Sequence, residues 1–159
     1  MKIMFAIAGL LLVATPVHAD DCALGKIEDA LTAPLDGLKK LERDVSDVQS
    51  TEGGQWQIYR EADGRVNTIM RIDYGEMGRS ELRLTILNRR TYGIADTGIQ
   101  YTRHIYLTDG GPLGTSSRTI KFHYFCDGKP VIASPEALEL QKSILMNKDV
   151  ADFTKGLVK

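Results

Sequence analysis

The chain has 159 residues, 43% hydrophobic and 26% charged, with a formal net charge of −1, 15 glycines, five prolines and two cysteines. These values sit at the average of soluble globular proteins and exclude a disordered tail, a collagen, a coiled coil and a disulfide-dense miniprotein. The near-zero charge argues against a generic nucleic-acid binder, whose domain is usually basic overall, and the length suits one domain.

The first nineteen residues read as an address rather than as structure. Lys2 precedes an unbroken apolar or small run, Ile3 to Val13, and Val17-His18-Ala19 then leads into Asp20-Asp21. That is a charged start, an apolar stretch and a small-residue cleavage site. The run is short of the roughly 20 apolar residues that span a bilayer. The expectation is a signal peptide over 1–19, cut after Ala19, and a single α+β domain over 20–159, located in a periplasm or outside the cell. A lipid anchor on Cys22 is disfavoured by Asp20 and Asp21, and no second long apolar run follows. No stable membrane anchor is therefore expected. In an oxidising compartment the two cysteines are expected to pair as Cys22–Cys126.

The mature chain opens with apolar residues at 24, 27, 31, 35, 38, 41, 45 and 48. Steps of three and four predict an amphipathic helix, kinked at Pro34 and ended by Gly53-Gly54. From Gln55 the period changes to two. Trp56 and Ile58 mark a first strand, and Asp63-Gly64 a hairpin turn. Val66, Thr68, Met70, Ile72 and Tyr74 share one face of a second strand. Leu82, Leu84 and Ile86 define a third. A fourth runs from about Gly98, with Ile99, Tyr101, Ile105 and Leu107 on one side. Ile120, Phe122 and Tyr124 define a fifth. Ser134-Pro135-Glu136 starts a C-terminal helix, with Val150, Phe153 and Leu157 as a short second piece. The predicted fold is α+β: an N-terminal kinked helix packed on a five-stranded antiparallel meander, then a C-terminal helix. Alternation along the strands predicts one covered face and one open face.

Motifs for catalysis are scarce. There is no G-x-S-x-G, P-loop, H-E-x-x-H, C-x-x-C or dinucleotide fingerprint. His104 and His123 have no recognisable metal-ligand spacing, so no cofactor and no metal are expected. Charge is more informative. Residues 20–53 carry a net −5 and residues 54–130 a net +3, with nine of the ten arginines in that second span. Arginine's planar fork suits carboxylates and is enriched at protein interfaces.

Arg71, Arg83, Lys121, His123, Tyr59 and Tyr106 fall out of phase with their strands' apolar sets and are candidates for a partner-binding open face. Arg89 and Arg90 form a second candidate contact, and the 109–117 loop a third. The sequence thus points to an exported, non-catalytic protein that binds another protein or an envelope component. An inhibitor or immunity protein of an envelope enzyme is one concrete form. A small-ligand or lipid carrier, with a pocket between the helix and Trp56, Tyr74, Tyr101 and Phe122, is the alternative. A small hydrolase without a recognisable motif is the second alternative.

Overall fold

A computed structural model describes residues 22–47, 50–107 and 111–157. The expected signal peptide and its cleavage site lie outside these residues. The described chain runs α1 (Leu24–Thr32), β1 (Lys39–Asp44), β2 (Gly54–Arg60), β3 (Val66–Gly75), β4 (Gly78–Asn88), β5 (Thr91–Tyr101), β6 (Thr115–Cys126), β7 (Lys129–Pro130), α2 (Pro135–Leu145) and α3 (Ala151–Thr154). The strands form one antiparallel meander in sequence order. The fold is α+β as expected, but the sheet has seven strands, not five.

Two elements account for the difference. The predicted kinked helix stops at Thr32, and its second half is β1. Pro34 and Gly37, the latter at φ 85°, end the helix, and the spacing of Leu38, Leu41 and Val45 only happens to suit a helix. The second addition is β7, two residues joined to β6 by Asp127-Gly128, both at positive φ. That is the chemistry of a two-residue hairpin turn. Pro130 sits opposite Phe125 in this hairpin, on a strand short enough to tolerate a missing N–H. The predicted fourth strand is also shifted. β5 begins at Thr91, while Ile105 and Leu107 lie in the loop beyond it.

Both faces of the sheet are packed, against the expectation of one. On the first face Trp56, Ile58, Ile69, Leu84, Tyr92, Ile94 and Phe125 are buried against Ala137 and Ile144 of α2 and Val150 and Leu157 around α3. The register lines them up: Ile58 opposes Ile69, Ile69 opposes Leu84 and Leu84 opposes Ile94. Each such side chain contributes about 1.5–3 kcal/mol by leaving water. The predicted apolar face of the second strand is therefore the wrong one for the larger core. Ile69 carries it, and an irregularity at Tyr59/Arg60 brings Val66 round to the same side.

On the second face α1 lays Ile27 and Leu31 over Ala95, with Leu24, Leu87 and Tyr124 around them. Gly93 makes this approach possible. A Cβ there would stand 2.6 Å from both Ile27 Cγ2 and Leu31 Cδ1. Cys22 and Cys126 stand at disulfide distance, Cα to Cα 5.7 Å, and tie the entry of α1 to the end of β6.

Polar contacts hold the C-terminal helices, some within the segment itself and some to the sheet. The Ser134 hydroxyl accepts the Ala137 amide at 3.0 Å, the cap expected from the sequence. Asp149, between α2 and α3, accepts the Trp56 indole N–H at 3.2 Å, the Ser46 amide at 2.8 Å and the Ser46 hydroxyl at 2.7 Å. Arg43 of β1 forks onto both carboxylate oxygens of Asp152, at 2.9 and 2.8 Å, and lies over the Phe153 ring.

Candidate functional site

The residues singled out for an open face do not share one. Arg71 opposes Trp56, Lys121 opposes Asp96 and His123 opposes Ile94. Directly opposed residues point to the same side of a sheet, so these three lie on the face of α2 and α3. Tyr59 and Arg83 lie on the face of α1, since Tyr59 opposes Thr68 and Thr68 opposes Thr85, two residues from Arg83. Tyr106 is off the sheet, in the loop after β5. Phase within a strand says which residues share a side. It does not say which side, and the register decides that.

Most of these cations already have partners. Arg71 binds Asp73 at 2.7 and 3.0 Å and Asp47 at 3.0 Å, above the Trp56 ring. Arg83 reaches back to α1, donating to Ala30 O at 3.1 Å and Ala33 O at 2.8 Å. It satisfies the free carbonyls at the helix's C-terminal end, where a cation is favoured. Burial pulls this guanidinium below the usual arginine range. The Tyr59 hydroxyl donates to Gln57 Oε1 at 2.7 Å. The Tyr106 hydroxyl donates to Glu52, and His104 Nε2 lies 2.7 Å from Glu76 Oε2. Arg89 and Arg90 form the β4–β5 turn. With Lys129, Lys155 and Asp127 they line an open recess of about 790 Å³, where Arg90 is paired to Asp127 at 3.1 Å.

Among the described residues, the feature left without structural employment is β6. β7 pairs with it only at Phe125 and Cys126, and Val131 N adds one bond to Tyr124 O at 2.8 Å. Thr115 through Phe122 are all exposed, eight consecutive strand residues. Ile120 is 43% exposed and Phe122 37%. Groups on a strand alternate sides, and Tyr124 O points away from β5. The backbone N–H and C=O of Phe122, Ile120 and Arg118 therefore point outward as well. Beside this edge runs a recess of about 270 Å³ between Lys121–Tyr124 and Ile132, Ser134 and Ala137. Ile132 is 78% exposed. His123 Nε2 is buried there with no hydrogen-bond partner among the described residues. Lys121 is held over the start of α2 by Glu136 at 2.6 Å, which raises the ammonium's pKa and lowers the carboxylate's.

No protein-family model, curated protein or solved structure matches this chain. The site therefore rests on its own geometry. Among the described residues no group of three His, Cys, Asp or Glu side chains is placed to hold a metal ion, and no helix is long and apolar enough to cross a membrane. The 109–117 loop lies partly outside the described residues, and its last part, Thr115–Ser117, is the start of β6. Trp56 is fully buried on one face, whereas Tyr74, Tyr101 and Phe122 belong to the other by register. The four aromatics proposed for a carrier pocket thus line no common cavity.

Sequence reasoning placed Ile120 and Phe122 in the core and so missed the exposed edge. A signal was there: Thr-Ser-Ser-Arg-Thr-Ile-Lys-Phe carries hydroxyls or charges in both phases, unlike the buried strands before it.

Proposed function

We propose that this is an exported, non-catalytic protein that binds another polypeptide by adding it as a strand to the open edge of β6. The observation that carries the reading is the eight-residue exposed run with outward backbone groups at Arg118, Ile120 and Phe122. A row of unpaired N–H and C=O groups is a template for an extended chain. In this binding mode main-chain bonds supply affinity and alternate side chains supply specificity. Ile120, Phe122 and Ile132 give the incoming strand apolar anchors, and Arg118 gives it a cationic one. The disulfide-distance pair Cys22–Cys126 suits an oxidising, exported location.

Hydrogen exchange tests the reading site by site. In dilute protein the outward amides of Arg118, Ile120 and Phe122 exchange fast, while the inward amides of Thr119 and Lys121 are protected by β5. Adding concentrated envelope extract, or concentrating the protein itself, slows the three outward amides together. If they stay fast under both conditions, strand addition at β6 is wrong.

A further inference from the structure

We propose that the strand completing β6 is a second copy of this chain, antiparallel about a two-fold axis through Ile120. The inference rests on β6 being a pairing edge and names its occupant.

Only residues with outward backbone groups can form hydrogen-bonded pairs across a new antiparallel seam. Among the described residues three such positions are open, Arg118, Ile120 and Phe122, because the Tyr124 carbonyl is taken by Val131. An axis through Ile120 matches all three with themselves: Arg118 with Phe122 of the second copy, Ile120 with Ile120, and Phe122 with Arg118. Each pair exchanges two bonds, roughly six in all.

The neighbouring symmetric registers do worse. An axis through Lys121 sets two Lys121 ammoniums face to face, and one through Arg118 does the same with two guanidiniums. Like charges directly opposed on adjacent strands are destabilising. An axis through Thr119 sets Phe122 against Ser116, the residue skipped where the β5–β6 register shifts.

The side chains agree with the Ile120 axis. On the α1 face the two isoleucines meet at the centre, and each Arg118 faces a Phe122 ring, an arrangement that favours a cation over an aromatic face. On the other face Thr119 opposes Lys121, and Ser117 stands opposite His123. The interface is isologous, as a closed dimer requires, and joins two seven-stranded sheets into one.

Sedimentation velocity across a wide concentration range tests this on the mature chain. A monomer–dimer equilibrium is expected. Ile120→Pro removes an outward N–H only, so it leaves the β5–β6 ladder intact and weakens the dimer ~10-fold or more. Its far-UV circular dichroism and melting temperature verify that it folds. Thr119→Glu gives the opposite sign. It faces Lys121 of the second copy twice and tightens the dimer several-fold at low salt, an effect reversed by adding Lys121→Glu.

A chain that stays monomeric at every concentration overturns the proposal. So does a dimer indifferent to Ile120→Pro, or one loosened by Thr119→Glu. If the chain is monomeric but envelope extract still protects the three outward amides, the second copy is wrong and strand addition stands. If neither occurs, both fall.

Discussion

β1 and the open stretch of β6 are both edge strands of one sheet, yet they are built in opposite ways. β1 is Lys-Lys-Leu-Glu-Arg-Asp, six residues with five charges. Lys40 is paired to Glu42 at 2.6 Å, and Arg43 is pinned to Asp152 of α3. Short length, charge and cover are the devices by which edges avoid pairing. The open run of β6 is longer, has two cations among eight residues and exposes Ile120 and Phe122. A sheet that protects one edge this thoroughly and leaves the other bare is directional. New strands are expected on one side only.

The largest effect expected from probing this asymmetry comes at the closed end of β6. The Cys22–Cys126 link encloses a sequence separation of 104 residues. A loop of that size is worth about 4–5 kcal/mol in the chain-entropy model, with native strain as the usual reduction. Cys22→Ala with Cys126→Ala should lower the denaturant midpoint accordingly and loosen α1 first. Exchange of the α1 amides ahead of those of β2 and β3 would show it. Loss spread evenly over the sheet would mean that the link does not act through α1.

On the β1 side the corresponding clamp is Asp149. Asp149→Ala removes three hydrogen bonds and leaves the buried indole N–H of Trp56 without an acceptor, at a cost of about 3 kcal/mol. The Ser46 amide holds the Asp149 carboxyl below its usual value of 3.8, and Arg43 does the same for Asp152. A depressed folded pKa means that this stability is complete above the unfolded value. It is lost as pH falls below 3.8 through the folded values. Trp56 is the only tryptophan, so its fluorescence should report the loosening of α3 in an acid titration. The Asp149→Ala chain should show a smaller acid transition. An unchanged one would remove Asp149 from the account.

Between the two edges stands Arg83, proposed from sequence as a surface contact and found capping α1. Arg83→Met should cost about 1–2 kcal/mol, because the carbonyls of Ala30 and Ala33 lose a charged donor. The dimer constant should not move. If association changes while stability does not, Arg83 acts on a partner and the cap is incidental.

How much of this was legible depends on which signal a residue obeyed. The strands around Trp56, Leu84 and Tyr124, the Asp63-Gly64 turn and the Ser134 cap obey local rules, and the sequence shows them. The cysteine pair follows from the count of two and from the compartment that the N-terminal pattern leads one to expect. β1 reads as helix because Leu38 and Leu41 continue the spacing of α1, and a charged edge strand with no buried residue imposes no period of two. The candidate site was legible only in part. Lys121 and His123 do lie on β6, but the edge beside them depends on β7 being two residues long. Nothing in Lys129-Pro130 announces that. Arg71 and Arg83 read as sharing one face because each is out of phase with the apolar set of its own strand. Only the register shows that the two strands have their apolar sets on opposite sides.

The smallest change should give the sharpest comparison. If charge is what closes β1, its removal should open that edge without harming the fold. Lys40 and Glu42 are exposed and paired with each other, and such surface pairs contribute little to stability. Lys40→Thr with Glu42→Thr, placed on the Ile120→Pro background so that β6 is silent, should therefore leave the melting temperature unchanged. The chain should nevertheless begin to self-associate, now through β1, with slowed exchange of its outward amides. Continued monomeric behaviour would shift the explanation to the cover that Arg43 and α3 provide. The two accounts separate in one further step: adding Asp152→Ala releases Arg43 and should open the edge under the second account. Either result shows whether this sheet excludes strands by charge or by cover, and so what β6 lacks.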